Sequence, residues 1–311
     1  MQTHFPTVNP EIYHQALRYP FPEHADVLID TDIANELDDQ YALAMALMAR
    51  EAIDLRAITI APFIHHPGDS PREGMIAGIS EAKHQLECFN AADIPVMPGA
   101  ERFLDSAATP VDSPAVRKII ELAHETARAG RRLYVIGIAA ATNIASALLI
   151  DPELNAIVTV VWLGGHAPWC RNAAEFNLMQ DVTASRILLE SGVPLVLVPC
   201  HGVAELLGTS LHELRQLTAG TGAAGRFLYN RAFEVMNGNF SAHRILWDVA
   251  TVALFVTPDS LLTTVEPTPE LDEKFRFHPG TGTGRTRMVR YLYRDEIFEE
   301  LFGRLKKLFT D

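Results

Sequence analysis

The 311 residues carry a formal net charge of −13, with 26 Lys and Arg against 39 Asp and Glu. That balance excludes non-specific binding to nucleic acid or to an anionic membrane, both of which need clustered cations. Hydrophobic residues make up 48% of the chain, which gives a sizeable core and rules out global disorder; no apolar run reaches the length of a membrane span.

Residues 1–10 are polar and contain prolines, without the charged-then-apolar pattern of a signal peptide. Residues 1–25 read as an N-terminal arm packed on one domain that spans 1–311. Beyond them, short apolar runs at 27–29, 55–61, 94–97, 133–136, 157–163 and 195–198 read as strands. They are continuous and rich in Val, Ile and Leu, as strands buried on both faces should be. Amphipathic stretches at 39–50, 115–129, 143–149 and 182–190 separate them, and 203–217 and 225–236 continue as helix. This alternation predicts an α/β fold with a mostly parallel central sheet and helices on both faces. In such a sheet ligands bind beyond the carboxyl ends of the strands. Cys88, Cys170 and Cys200 are few, odd in number and scattered, which fits reduced thiols of a cytoplasmic protein.

The first strand runs directly into acid: Val27-Leu28-Ile29-Asp30-Thr31-Asp32, then Ile33-Ala34-Asn35-Glu36-Leu37 and Asp38-Asp39 at the start of a helix. Asp38 and Asp39 taken alone suit a helix N-terminus through capping and the dipole. The group does not reduce to that. Carboxylates converging at one strand end repel one another unless a cation neutralises them, and hard divalent cations take oxygen ligands of this kind. Two further segments fit the same centre. The stretch 133–145 is a strand, a small-residue turn and the helix start Thr142-Asn143, where a free carbonyl could ligate a metal or the turn could be an ordinary one. Asp248 lies inside the apolar stretch 245–250, where a buried carboxylate needs a partner, either a salt bridge or a metal.

These residues resemble the inosine-uridine-preferring nucleoside hydrolase family. The likeness rests on Asp30-Thr31-Asp32 with Asp38-Asp39, on Thr142-Asn143-Ile144-Ala145, and on Trp162-Leu163-Gly164-Gly165 followed by Glu175-Phe176-Asn177 and Asp181. It implies an open α/β fold, and hydrolysis of the N-glycosidic bond of ribonucleosides with a bound Ca²⁺. By position, Asp32, Asp39, the Ile138 carbonyl and Asp248 would hold the metal, and Asp32 would be the base that takes a proton from a Ca²⁺-bound water. Asp38, Asn177 and Asp248 would grip the ribose hydroxyls, Glu175 would reach the 5′-hydroxyl, and Asp30 would stand behind them. A small-molecule nucleoside as partner and a homo-oligomeric state, dimer or tetramer, follow from the same likeness.

The sequence departs from the family at two places. The loop from Asp32 to Asp39 is two residues longer than usual, which brings Asn35 and Glu36 beside the metal. Trp247-Asp248 stands where the family has His-Asp, so the group that assists the leaving base is open. His243, His65, His66 and His166 are candidates for it, and Trp169 and Trp247 could stack on a base. Gly280-Thr281-Gly282-Thr283-Gly284 looks like a phosphate loop but lacks the following Lys and Ser or Thr, and reads as a surface loop. Two other functions remain: a Mg²⁺-dependent phosphatase built on Asp30-Thr31-Asp32, and a non-catalytic nucleoside or sugar sensor.

Overall fold

The six apolar runs form strands that lie parallel: β1 (Ala25–Thr31), β2 (Ile53–Ile60), β3 (Val96–Pro98), β4 (Leu133–Ile138), β5 (Val158–Leu163) and β6 (Leu195–Val198). The structure is a computed structural model, and it describes residues 5–66 and 68–308. β1, β4, β5 and β6 are buried along their whole length, which is why their sequences do not alternate. Later strands are β7 (Gly208–Ser210) and β8 (His243–Ile245), an antiparallel ribbon, then β9 (Leu261–Pro267), the small pair β10 (Glu270–Leu271) and β11 (Phe277–His278), and β12 (Arg285–Leu292). The main sheet has the order β3-β2-β1-β4-β5-β6-β12-β9. Only β9, at the edge, runs antiparallel to its neighbour. The mostly parallel α/β sheet is the expected one; β9 and β12 extend it beyond the strands read from sequence.

The period-two geometry of β1 divides the core. Val27 and Ile29 belong to one buried cluster and Leu28 to another, on opposite faces of the sheet. The helices Asp38–Met48, Pro71–Cys88, Gly222–Val235, Val249–Val256 and Arg294–Lys307 contribute to the first cluster. Pro114–Arg128, Thr142–Ile150 and Val182–Glu190 contribute to the second. From the arm, Tyr13, Leu17 and Phe21 join the first cluster, and the Tyr13 hydroxyl donates to the Gly192 carbonyl at 2.5 Å. Residues 1–4 of the expected arm lie outside the described residues.

Three helical expectations change. The stretch 39–50 is buried on every side from Asp38 to Leu47 rather than amphipathic, because Val249–Val256 and Arg294–Lys307 pack across its outer side. The stretch 203–217 breaks into the 3₁₀ turn Ala204–Leu206, β7 and the helix Leu211–Thr218. Gly208 marks the break: the His243 ring lies where a side chain on it would stand. Pro71–Cys88, not foreseen, carries a complete capping box in which Ser70 and Glu73 satisfy each other's backbone donors.

What the sheet positions is its switch point. The chain leaves β1 outward to β2 and β3, then returns to β4 on the other side of β1. A crevice opens at the carboxyl ends of strands where the order reverses in this way. Asp32 follows β1, and Ile138, paired with Thr31, ends β4.

Candidate active site

The strand ends are first locked together. Asp30, fully buried on β1, accepts at Oδ1 from Thr59 Oγ1 at 2.6 Å and from Asn143 Nδ2 at 2.8 Å. Asn143 Nδ2 also donates to the Ile60 carbonyl at 3.1 Å, and its Oδ1 accepts from the Ala100 amide at 2.9 Å. One side chain thereby ties β1, β2 and the segment after β3. Thr142 Oγ1 donates to Asp181 Oδ2 at 2.8 Å, and that oxygen also accepts from the Leu104 amide at 2.9 Å. The Thr142-Asn143 block thus braces the crevice. The turn after Ile138 is fixed separately, because Trp162 Nε1 donates to the Ala139 carbonyl at 3.2 Å.

Asp38 and Asp39 open a helix whose N-cap, Leu37, makes no side-chain capping bond, and Asp248 at the start of Val249–Val256 caps nothing either. The two helix N-termini instead carry three buried carboxylates to one point. Asp38, Asp39 and Asp248 each place an oxygen within 4.8 Å of the other two. Calcium–oxygen distances are about 2.3–2.6 Å, so oxygens sharing one ion lie within roughly 5 Å of each other. The donors are all oxygen, and among the described residues no Lys or Arg borders the cavity they face. Contrast Asp26 at the opposite end of β1, equally buried, which is neutralised by Arg56 and Arg131. The trio fits a hard divalent cation.

Electrostatics carry the same signature. Burial pushes the Asp39 carboxyl up to about 7, opposed by hydrogen bonds that include one from Thr31. Burial, then the charges of Asp39 and Asp38, holds Asp32 well above the usual carboxylate range. Asp38 and Asp248 are raised in the same way, by burial first and by their acidic neighbours second. Strong perturbation of a group of carboxylates in a cleft marks a functional site.

The trio and Asp32 border a cavity of ≈320 Å³. The structure brings eleven of the candidate residues named from sequence to its wall: Asp32, Asn35, Glu36, Asp38, Asp39, Ile138, His166, Glu175, Asn177, Trp247 and Asp248; His65 and His66 are not in the lining. His243 is not brought there; it is exposed on β8 against Gly208. Asp32, expected within the ligand set, borders the cavity but stands outside the close trio, in which Asp38 takes its place. Asn35 Nδ2 donates to Asp32 Oδ2 at 3.2 Å, and Asn35 Oδ1 lies 2.6 Å from His65 Nδ1. Trp169 is 54% exposed and stacks beneath Arg290 away from the lining.

After β5 the chain turns through Gly165 at φ +72°, a conformation that glycine adopts without strain. The Gly165 amide donates to Glu175 Oε2 at 2.9 Å, and Glu175 also caps the helix Phe176–Gln180 through the Asn177 and Leu178 amides. Asn177 Nδ2 donates to the Leu163 carbonyl at 3.0 Å, leaving its Oδ1 as acceptor. Cys200, buried beside Glu175, has its thiol pushed far up by burial and by the Glu175 charge, so it stays protonated and is not a nucleophile.

His166 and His201 line the cavity as a pair, ring centroids 4.5 Å apart, and His201 meets Trp247 edge-on at 5.3 Å. His201 is not singled out by the sequence, and Cys200 and Phe176 carry no site role in it, yet all three line the cavity. The signal for the first two was position, since Cys200 and His201 follow β6 where a parallel sheet presents its ligand edge.

A family model described as inosine-uridine preferring nucleoside hydrolase matches residues 27–291. A curated relative, the pyrimidine-specific ribonucleoside hydrolase RihA of Salmonella paratyphi C, is 25% identical over 287 residues, covering 82% of this chain and 86% of its own. Among solved structures, a plant nucleoside hydrolase superposes with a TM-score of 0.72 at 20% identity, covering 90% of this chain and 98% of its own. A purine-preferring ribonucleoside hydrolase from Gardnerella vaginalis gives 0.70 at 20% identity, covering 91% and 98%. Among the described residues no helix is long and apolar enough to cross a membrane.

Proposed function

The chain belongs to the inosine-uridine preferring nucleoside hydrolase family, and from that premise we propose that it uses water to cleave the N-glycosidic bond of a ribonucleoside, releasing ribose and free base, with Ca²⁺ held by its buried carboxylates. The observation that carries this reading is the trio Asp38, Asp39 and Asp248, buried and without a neighbouring cation at the sheet's switch point.

Asp39 and Asp248 would hold the ion, with Asp32 and the Ile138 carbonyl completing the set, and Asp38, which shares the trio with them, would take a ribose hydroxyl. A bound divalent cation supplies a lowered pKa to a coordinated water and an anchor for the sugar. Asp32 accepts the proton of the attacking water, a role served by its closeness to the charges of Asp38 and Asp39. Asn177, through Oδ1, and Asp248 take ribose hydroxyls; Glu175 takes the 5′-hydroxyl; Asn35 and Trp247 border the sugar and the base. As the C1′–N bond lengthens, positive charge grows on the ribose, and preformed carboxylates stabilise it without reorganising. Holding the hydroxyls makes the attack effectively unimolecular.

A phosphatase built on Asp30-Thr31-Asp32 is disfavoured by two features. Asp30 is held inside the sheet by Thr59 and Asn143 and does not line the cavity, and among the described residues no Lys or Arg lines the cavity to receive a phosphate. The base preference is not carried over, because one relative is named pyrimidine-specific and another purine-preferring. The proposal extends to a cytoplasmic homo-oligomer on one domain spanning 1–311, in keeping with three free cysteines. The test is incubation of the Ca²⁺-loaded protein with a panel of purine and pyrimidine ribonucleosides. Release of reducing sugar supports it; phosphate release from ribose phosphates with no cleavage of any nucleoside overturns it.

A further inference from the structure

The cavity is chemically divided. Its floor is carboxylate, which can accept protons and hold cation and sugar. Its rim, where β6 ends, is His201, His166 and Trp247. A purine or pyrimidine anion is a poor leaving group, and a proton delivered to a ring nitrogen as the bond breaks lets it depart neutral. Resting on the ribonucleoside hydrolase reading, we infer that His201, oriented by Glu205, is the acid that protonates the departing base.

Three features single it out. His201 Nδ1 lies 2.8 Å from Glu205 Oε2, while Glu205 Oε1 accepts from the Gly202 amide at 2.8 Å, so the carboxylate is fixed and the ring is turned by it. A base–orienter pair of this kind sets the tautomer and direction of an imidazole. Nε2 is left without a hydrogen-bond partner among the described residues, on a side chain that lines the cavity. The rival is engaged elsewhere: His166 Nδ1 accepts from the His201 amide at 3.4 Å. Burial and the adjacent His201 push His166 below the usual histidine range, which keeps it neutral. Cys170 Sγ donates to the His201 carbonyl at 3.7 Å, on the backbone and not on the ring. Trp247 offers an indole N–H that does not ionise, and His243 is outside the cavity.

The step balances as follows. The C1′–N bond breaks and its electron pair passes to the base, which takes the proton from His201 Nε2. The water oxygen bonds C1′ and its proton goes to Asp32. Proton exchange with solvent restores His201 and Asp32, so nucleoside and water become ribose and protonated base with no other reactant.

The test compares a nucleoside with 4-nitrophenyl β-D-ribofuranoside, whose leaving group departs as a stable anion and needs no acid. In His201→Gln the ratio of kcat/KM for inosine or uridine to that for the nitrophenyl riboside is expected to fall by roughly 10²-fold or more. Glu205→Gln lowers the same ratio by a smaller factor, which a merely structural role would not do, since misfolding depresses both substrates together. Circular dichroism and melting of each variant give the folded fraction. A ratio unchanged in His201→Gln overturns the proposal, as does its collapse in His166→Gln alone. Wild-type protein that cleaves neither substrate removes the hydrolase reading and this proposal with it; wild type that cleaves both, with an unchanged ratio in His201→Gln, removes only His201.

Discussion

Arg231 Nε donates to the Glu36 carbonyl at 2.9 Å across 195 positions of sequence, and its Nη2 donates to the Ala34 carbonyl at 2.8 Å. From inside, Gln40 Nε2 donates to the Ile33 carbonyl at 2.6 Å and to Glu81 Oε1 at 3.0 Å. The loop between Asp32 and Asp38 is therefore clamped from both sides. Arg231→Ala leaves the Ala34 and Glu36 carbonyls without their charged donor, and is expected to lower stability by about 2 kcal/mol and to raise KM, because Asn35 and Glu36 lose their placement on the cavity wall. Urea denaturation and steady-state kinetics check it; unchanged KM in a variant of lowered stability would show that the clamp serves the fold alone.

Asp39, like Asp248, belongs both to the trio and to the ligand set expected from sequence. Asp39→Asn is expected to weaken Ca²⁺ binding by at least roughly tenfold, a loss that removing a group that merely orients a ligand can already produce. Calorimetry on chelator-stripped protein measures it. The same titration on Asp32→Asn separates two geometries: a small change in affinity with kcat down by roughly 10²–10⁴-fold assigns Asp32 to proton transfer, with Asp38 nearer the ion.

The raised carboxyls also fix the sign of a pH effect. Asp30 and Asp39 are held up to about 7 by burial, against an ordinary value of 3.8. Between those values the folded, cation-free protein binds more protons than the unfolded chain, so its stability is greatest below about pH 4 as far as these groups are concerned and is lost as pH rises through about 7. A bound cation requires the ionised forms and opposes this trend. In chelator, the melting temperature should be higher at pH 5.5 than at pH 7.5, and the rise on adding Ca²⁺ should be larger at pH 7.5. A Ca²⁺-induced rise that shrinks with increasing pH would contradict the assignment.

How much of this was legible depended on whether a signal was local. β1, β4, β5 and β6 are apolar throughout because both faces are covered, and a short buried run is easily recognised. Val249–Val256 is apolar except for Thr251, and so short an apolar run does not reveal its period as helical. Ser70, Pro71 and Glu73 held a readable helix start that was passed over. In the site, Asp32, Asp38 and Asp39 declared themselves as clustered charge. His201 did not, because its meaning comes from Glu205 four residues on and from Trp247, neither of which sequence spacing makes special. The role of Asn143 as the tie between strands was equally hidden: it depends on Asp30, Ile60 and Ala100 meeting at one point. Asn143→Leu is expected to leave Asp30 Oδ1 with only Thr59 and to orphan the Ala100 amide, costing about 1–3 kcal/mol per unsatisfied group. A melting temperature unaffected by that substitution would deny the bracing role.

His243 and Trp247 stand four residues apart and sort oppositely. Trp247 borders the cavity and packs edge-on against His201, whereas His243 is exposed on β8. An aromatic face at the rim supplies what any nucleobase can use, a stacking surface worth about 1–3 kcal/mol, so Trp247→Ala should raise KM by roughly 10- to 100-fold for purine and pyrimidine nucleosides alike. His243→Ala should leave kcat/KM unchanged, since a ring covering Gly208 is remote from the reacting bond. The pair is decisive because both changes fall in the same segment leading to Asp248. A disturbed Asp248 would lower Ca²⁺ affinity in either variant, whereas lost stacking raises KM in Trp247→Ala with Ca²⁺ affinity intact. Equal losses in the two variants would mean that this segment acts through the metal and not through the base.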